Sequence, residues 1–313
     1  MERKHEKYQR LLARCKALPP APAAVAHPCD ESSLLGAVQA AELGLITPIL
    51  VGPRAKIAEA AKKCGKDLAR FEIVDAEHSH AAAEAAVRLA REGKAEMLMK
   101  GSLHTDELMA AVVKRETGLR TARRVSHCFI MDVPALDRPL IITDAAVNIF
   151  PDLEAKVDIV QNAIDMALAL GMKAPKVAIL SAMETINPKV QSTIEAAALC
   201  KMADRGQITG GVLDGPLALD NAVDLGAARI KKIDSPVAGR ADILVVPDLE
   251  AGNMLAKSLT FLADADAAGI VLGARVPIIL TSRADSVMTR LASCAVAVLL
   301  ANAKRTAPAR ALG

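Results

Sequence analysis

Short runs rich in valine and isoleucine recur along this chain, and between them lie alanine-rich segments whose apolar residues repeat at helical spacing. Strands that are apolar on both faces must be covered on both, and strands joined by helix-length segments run parallel. The alternation therefore specifies an α/β fold with helices on both faces of its sheets. Strands are expected at Ala23–His27, Thr47–Val51, Phe71–Val74, Met97–Lys100, Ser126–Met131, Leu140–Asp144, Val177–Leu180, Gly210–Leu213, Ile243–Val246, Gly269–Gly273 and Ile278–Thr281. Asp30 is placed to cap a helix over Glu31–Leu43, and a helix over Asp152–Leu170 ends at Gly171, the usual station of glycine after a last turn. A length of 313 residues suits two α/β units, and the turn-rich PALDRP at 134–139 reads as the hinge between early segments before 125 and later ones after 135.

Composition narrows the function classes. Aromatic residues make up 2% of the chain, with no Trp and Tyr8 as the single Tyr, so platforms for stacking nucleic-acid bases have almost no raw material. The net charge of +3 is mild. Lys100, Lys114, Arg115, Arg120, Arg123 and Arg124 nevertheless gather in one segment, either as a lining for an anionic substrate or as a solvated face. Six cysteines, Cys15, Cys29, Cys64, Cys128, Cys200 and Cys294, form no close pair, which fits neither a disulfide framework nor a zinc site and points to a reducing, cytoplasmic setting. The opening MERKHEKYQR lacks the apolar stretch of a secretory signal, and the longest uncharged apolar run, Leu291–Ala303, is shorter than the ~20 residues that cross a bilayer. Neither a membrane nor a nucleic acid is expected as a partner.

Polar strings follow the expected strand ends, where open α/β sheets bind ligands. TSRADS at 281–286 brings a hydroxyl, a guanidinium and the first amides of a helix together, as an oxyanion requires; by spacing alone Ser282 serves equally as an N-cap and Arg283 as a surface residue. In LDGPLALDNAV at 213–223, Asp214 precedes a Gly-Pro that reads as a rigid turn, with Asp220 and Asn221 beyond it. VPDLEAGN at 246–253 offers Asp248, Glu250 and Asn253 to a metal, a helix cap or a loop, and capping leads because no His joins them at ligand spacing. ITDAAVNIFPD at 142–152 carries Asp144 and Asn148 in what turn chemistry explains, and KGSLHTDE at 100–107 places Gly101, Ser102 and His104 between a strand and a helix. No Gly-x-Gly-x-x-Gly, Walker or Gly-x-Ser-x-Gly string occurs, which removes support from dinucleotide binding, P-loop hydrolysis and the nucleophile elbow.

Five blocks together, MKGSLHT (99–105), ITDAAVNIFPD (142–152), VLDGPLALDNAV (212–223), ILVVPDLEAGNMLAK (243–257) and ILTSRADS (279–286), resemble the phosphate acetyltransferase and phosphate butyryltransferase family from about residue 20 onward. The resemblance implies two α/β domains similar to those of isocitrate and isopropylmalate dehydrogenases, with the active site in the cleft between them. With the chain returning to its first domain at the end, the domains become 1–133 plus 284–313, and 134–283. It also implies reversible acyl transfer from an acyl-CoA to inorganic phosphate, with coenzyme A and phosphate as substrates, no tightly bound cofactor, no metal, and a homodimer or larger homo-oligomer. By likeness Arg283 grips phosphate and Ser282 bonds the reacting centre or the departing sulfur. Acetyl-type members carry an aspartate two turns into the following helix where this chain has Thr289, so Asp285 becomes the candidate base. Arg120 contacts phosphate or the coenzyme, and Asn148, Asp214, Asp220, Asp248, Glu250 and Asn253 shape the cleft. The opening HPCDESSLLGAVQAAELGLITPILVGP looks acetyl-type and SRADS butyryl-type, so both acyl groups stand. Two other readings remain: a metal- and NAD-dependent decarboxylating dehydrogenase on the same fold, and a non-catalytic coenzyme A-binding protein.

Overall fold

The computed structural model describes residues 6–281 and 286–306. In chain order it begins with α1 (Glu6–Cys15), β1 (Ala21–Ala26), α2 (Glu31–Glu42), β2 (Ile46–Gly52), α3 (Arg54–Cys64), β3 (Glu72–Asp75), α4 (Ser79–Arg91), β4 (Met97–Lys100) and α5 (Thr105–Val113). The middle of the chain holds β5 (Ser126–Asp132), β6 (Leu140–Thr143), α6 (Leu153–Ala169), β7 (Lys176–Leu180), α7 (Gln191–Asp204), β8 (Val212–Leu217), α8 (Leu219–Val223), α9 (Leu225–Ile230), β9 (Ile243–Val245) and α10 (Leu249–Leu262). The end supplies β10 (Asp266–Leu272), β11 (Ile278–Ile279) and α11 (Val287–Thr306). All eleven expected strands are present, and the two caps form as their sequences require. Asp30 accepts from the Ser33 amide at 2.7 Å, and Gly171, just past the last turn of α6, takes the left-handed φ of 86°.

Two compact units result, residues 1–123 with 268–313, and residues 124–267. In the first unit the strands stand in the order β3-β2-β1-β4-β11-β10, parallel except for the last pair. The central strands are buried to the last atom: Ala23, Ala24, Val25 and Ala26 of β1 and Met97, Leu98 and Met99 of β4 are all fully covered. α11 packs against α1, α2 and β11. By length and composition α11 could cross a membrane, yet over half of it is buried and Cys294, Ala295, Val296 and Ala297 reach no solvent, so here it is the core helix of its unit.

The second unit orders its strands β5-β6-β9-β7-β8, all parallel but for β5 against β6. Its core lies where Met131, Ile142, Ala178, Leu217, Leu244 and Val246 meet Ala222, Ala238 and Ala256.

Two sequence expectations change. The breaks fall at 123/124 and 267/268, not at 133/134 and 283/284. PALDRP is the connection of a hairpin, since Met131 pairs with Leu140 across antiparallel β5 and β6, and a hairpin cannot be divided between units. At the other end, β10 and β11 pair with each other and β11 with β4, which holds both to the first unit. The Gly215-Pro216 pair is not a turn but part of β8. A proline is tolerated there because β8 is an edge strand, and its register against β7 shifts between Ala178 and Leu180. Gly215 is needed at that point because a Cβ would stand 2.8 Å from Ile179.

Candidate active site

In the first unit the carboxyl ends of β1, β4 and β11 lie side by side. The register matches Ala26 with Lys100 and Ile279 with Met99, which places His27, Gly101 and Thr281 at one level of the sheet. The chain turns sharply after β1: His27 has φ of 55°, a left-handed conformation that a non-glycine residue adopts at a cost of about 1 kcal/mol or more. Three donors hold its carbonyl oxygen, the amides of Cys29 at 2.9 Å and Ser102 at 2.8 Å and the Ser102 hydroxyl at 2.8 Å. Its own amide donates to Val51 O at 2.7 Å. The ring is fixed as well, with Nδ1 2.8 Å from Ser102 Oγ.

Next to this turn stands a buried cation. Arg290, in the first turns of α11, is 2% exposed and donates from Nη1 to Thr281 Oγ1 at 2.8 Å and from Nη2 to Ser32 Oγ at 3.4 Å. Ser32 in turn donates to Asp30 at 3.2 Å; burial raises the pKa of the Asp30 carboxyl, and hydrogen bonds from Ser33 and Ser32, with a smaller pull from the guanidinium, outweigh it and hold the group below its ordinary value. The arginine fits because α2 has a glycine where it passes: a Cβ on Gly36 would lie 2.8 Å from Arg290 Cδ. Lys100, also buried, donates to Gly101 O at 3.4 Å. One strand-end row thus collects two buried cations, three hydroxyls and an imidazole.

Ser282, Arg283 and Asp285 lie outside the described residues, directly after Thr281. Ser286, the first described residue after Thr281, caps α11, its Oγ accepting from the Thr289 amide at 3.1 Å. Thr289 turns its hydroxyl to Ser286 at 3.2 Å.

The other sequence candidates separate into three places. Arg120 is exposed in the first unit, bridged through its backbone to Ala274. In the second unit, Asn148, Asp248 and Asn253 come together. Asp144 accepts from the amides of Ala146, Val147 and Asn148 and from Asn148 Nδ2 at 2.6 Å, and Asn148 Oδ1 accepts from Arg124 Nε at 2.7 Å. Asn148 is therefore a buried bracket that orients Arg124. Asp248 caps α10 by accepting from the Ala251 amide at 2.8 Å, and Asn253 reaches Ala145 O at 3.3 Å, so the ITDAAVNIFPD loop and the start of α10 are built against each other. Gly252 permits this approach, since a Cβ there would be 2.8 Å from Asp144 O. Glu250 is exposed in the first turn of α10.

Asp214 and Asp220 stand apart from these, on β8 and α8. Asp214 accepts from the Gly215 amide at 2.8 Å, and Asp220 pairs with Lys231 at 3.2 Å, which also pairs with Glu184 at 3.2 Å. No cluster of metal-binding type occurs among the described residues.

Residues 81–298 match the family model described as phosphate acetyl/butaryl transferase. The chain belongs to that family. It is 69% identical to a phosphate acetyltransferase of Rhizobium meliloti over 98% of this chain and 97% of that one, and 43% identical to a phosphate butyryltransferase of Clostridium beijerinckii over 94% and 97%. Among solved structures it is similar to a branched-chain phosphotransacylase from Enterococcus faecalis V583, 31% identical with a TM-score of 0.79, covering 90% of this chain and 99% of that one. A 4-hydroxythreonine-4-phosphate dehydrogenase from Klebsiella pneumoniae, 12% identical with a TM-score of 0.52 and covering 90% and 98%, shares the fold alone. In the sequence Ser102 carries no role, Asp30 reads as a cap alone, and neither His27 nor Arg290 stands out. For Arg290 one signal was available, a single charge directly ahead of the uncharged apolar run Leu291–Ala303.

Proposed function

We propose that this acyltransferase moves an acetyl group reversibly between coenzyme A and inorganic phosphate, without a tightly bound cofactor. The Rhizobium meliloti relative supports acetyl over butyryl. What carries the siting of the chemistry is the row of cations and hydroxyls at the carboxyl ends of β1, β4 and β11, immediately before Ser282 and Arg283 in the chain.

Acyl transfer to phosphate needs a holder for a dianion, donors for a tetrahedral oxyanion and a route for the thiol proton. Arg283 grips phosphate, for which its planar fork suits two oxygens at once. Ser282 bonds the reacting centre or the departing sulfur, and Asp285 is the acid that the family likeness offers. In the second unit Arg124, aligned by Asn148, offers an oriented guanidinium to an anionic part of the substrates. Six free thiols suit a reducing cytoplasm. The assembly is a homodimer, for which the exposed apolar stripe of α10, Met254, Phe261 and Leu262, supplies the surface.

The test is thiol release from acetyl-, propionyl- and butyryl-CoA in the presence of phosphate. Acetyl-CoA should give the highest kcat/KM, and silence with all three would defeat the reading. Arg283→Ala should raise the KM for phosphate by about a hundredfold, the effect of losing one charge-assisted contact of a few kcal/mol. Ser282→Ala should lower kcat more than it raises KM.

A further inference from the structure

We propose that His27 Nε2 takes the proton of the coenzyme A thiol when acyl phosphate is converted to acyl-CoA, and gives it back to the departing thiolate in the other direction. The proposal rests on the acyl-transfer reading above and names the residue for one of its tasks.

The hydrogen bonds of the β1 turn determine the tautomer. Ser102 Oγ stands 2.8 Å from His27 O and 2.8 Å from His27 Nδ1. A hydroxyl has one hydrogen, and the carbonyl can only accept it. Nδ1 must then carry its own hydrogen and donate to Oγ. In the neutral ring this leaves Nε2 with a lone pair, and among the described residues nothing bonds to it. The ring is also preorganised: its backbone is strained into the left-handed region and pinned by four hydrogen bonds, and Gly101 leaves no space for it to shift. A residue strained at a strand end and locked on both sides of its Cα is held for the sake of where its free atom points.

The electrostatics agree with an acceptor. Burial lowers the pKa of His27, the ammonium of Lys56 on α3 lowers it further, and Glu107 on α5 and Asp30 at the head of α2 oppose. Lys100 at the end of β4 and Arg290 on α11 add positive charge to the same strand ends. The ring is thus mainly neutral at pH 7, the form that accepts a proton. A free thiol, with a pKa near 8.5, is only a few per cent ionised there, so a base raises the supply of nucleophile. Register places Thr281, hydrogen-bonded to Arg290, two strands away on the same level.

The step balances. The S–H bond breaks, its proton joins Nε2, and the thiolate forms the new C–S bond at the acyl carbonyl. Collapse of the tetrahedral intermediate breaks the C–O bond, and phosphate leaves with that electron pair, while the imidazolium releases its proton to phosphate or solvent. In reverse, Nε2 takes a proton from the attacking hydrogen phosphate or from solvent, phosphate adds to the thioester carbonyl, the C–S bond breaks with its electron pair going to sulfur, and the thiolate receives that proton from Nε2.

His27→Asn separates the two ring nitrogens, because the amide keeps a donor for Ser102 Oγ and lacks the acceptor. In the acyl phosphate plus coenzyme A direction its kcat should fall by about 10²- to 10³-fold at pH 7. The deficit should shrink as the pH passes that of the free thiol, about 8.5, where thiolate forms without help. A deficit equal at every pH would reveal a structural role and overturn the proposal, as would a rate within about threefold of the native enzyme throughout. Asp285→Asn is the control: if it alone shows the pH-dependent deficit, the proton belongs to Asp285. Should His27→Asn fail to fold, nitrogen-15 NMR of the native protein decides, since an Nε2–H tautomer at His27 overturns the assignment. A native enzyme that transfers acyl groups while His27→Asn is unimpaired sinks His27 alone; a native enzyme without transfer sinks the parent reading with it.

Discussion

Gly101 has no room for a side chain, because a Cβ there would fall on the carbonyl oxygens of Ala26 and His27. Both neighbours are backbone and cannot turn aside. Gly101→Ala should therefore cost at least about 2 kcal/mol in a urea melt and disturb the His27 turn, so activity should fall further than the folded fraction. A stability within about 0.5 kcal/mol of native would show that the β1 and β4 ends are looser than described. His127 on β5 makes a second residue-scale case. It is fully buried beside Phe129 at 4.4 Å, and burial lowers its pKa to about 4, with Asp144 pulling the other way. A His whose folded pKa lies below its unfolded value of 6.5 leaves the unfolded chain as the better proton binder. Its contribution is intact above pH 6.5 and is lost as pH falls towards 4, by up to about 3 kcal/mol. Urea midpoints between pH 7.5 and 4.5 should drop more steeply for the native chain than for His127→Gln, and parallel curves would refute it.

At the scale of elements, α6 and α7 are joined by the ion pair of Lys156 and Glu195, whose side chains are 6% and 12% exposed. Removing one partner leaves a charge stranded in a poorly solvated place. Glu195→Leu or Lys156→Met alone should destabilise by about 3 kcal/mol, and the double variant should recover most of that loss. Additive losses in this double-mutant cycle would mean that the two charges do not stabilise each other. The helices and strands themselves were legible because burial on both sides of a parallel sheet leaves a strong mark: Val177, Ala178 and Ile179 can be nothing but a covered strand. Turn chemistry was not, since proline reports only what the chain cannot do locally. PALDRP closes a hairpin and Pro216 lies in an edge strand, and both follow from pairings with distant residues. The site was legible as strings and not as a constellation. Arg290, Ser32 and Thr281 meet across 258 residues of chain, while Asn148 and Asp248 turned out to hold backbone and helix ends.

On the scale of the whole molecule, the distribution of aromatic surface is the feature that the monomer does not explain. The chain has four phenylalanines, and two of them, Phe150 and Phe261, are 77% and 78% exposed. Met254 and Phe261, seven residues apart, share one face of α10, and Leu262 beside them is 86% exposed. Leaving such side chains in water forgoes about 2 kcal/mol each, which burial against a like surface recovers. A two-fold contact needs only that the stripe be self-complementary, and Glu250 and Lys257, exposed at helical spacing beside Met254 and Phe261, offer opposite charges to pair across it. Phe261→Ser combined with Leu262→Ser should therefore halve the mass seen by light scattering at micromolar protein, with the circular dichroism unchanged because neither side chain is in the core. A native chain that scatters at 32.8 kDa, the mass of one copy, would remove the dimer and leave α10 as a face for something else.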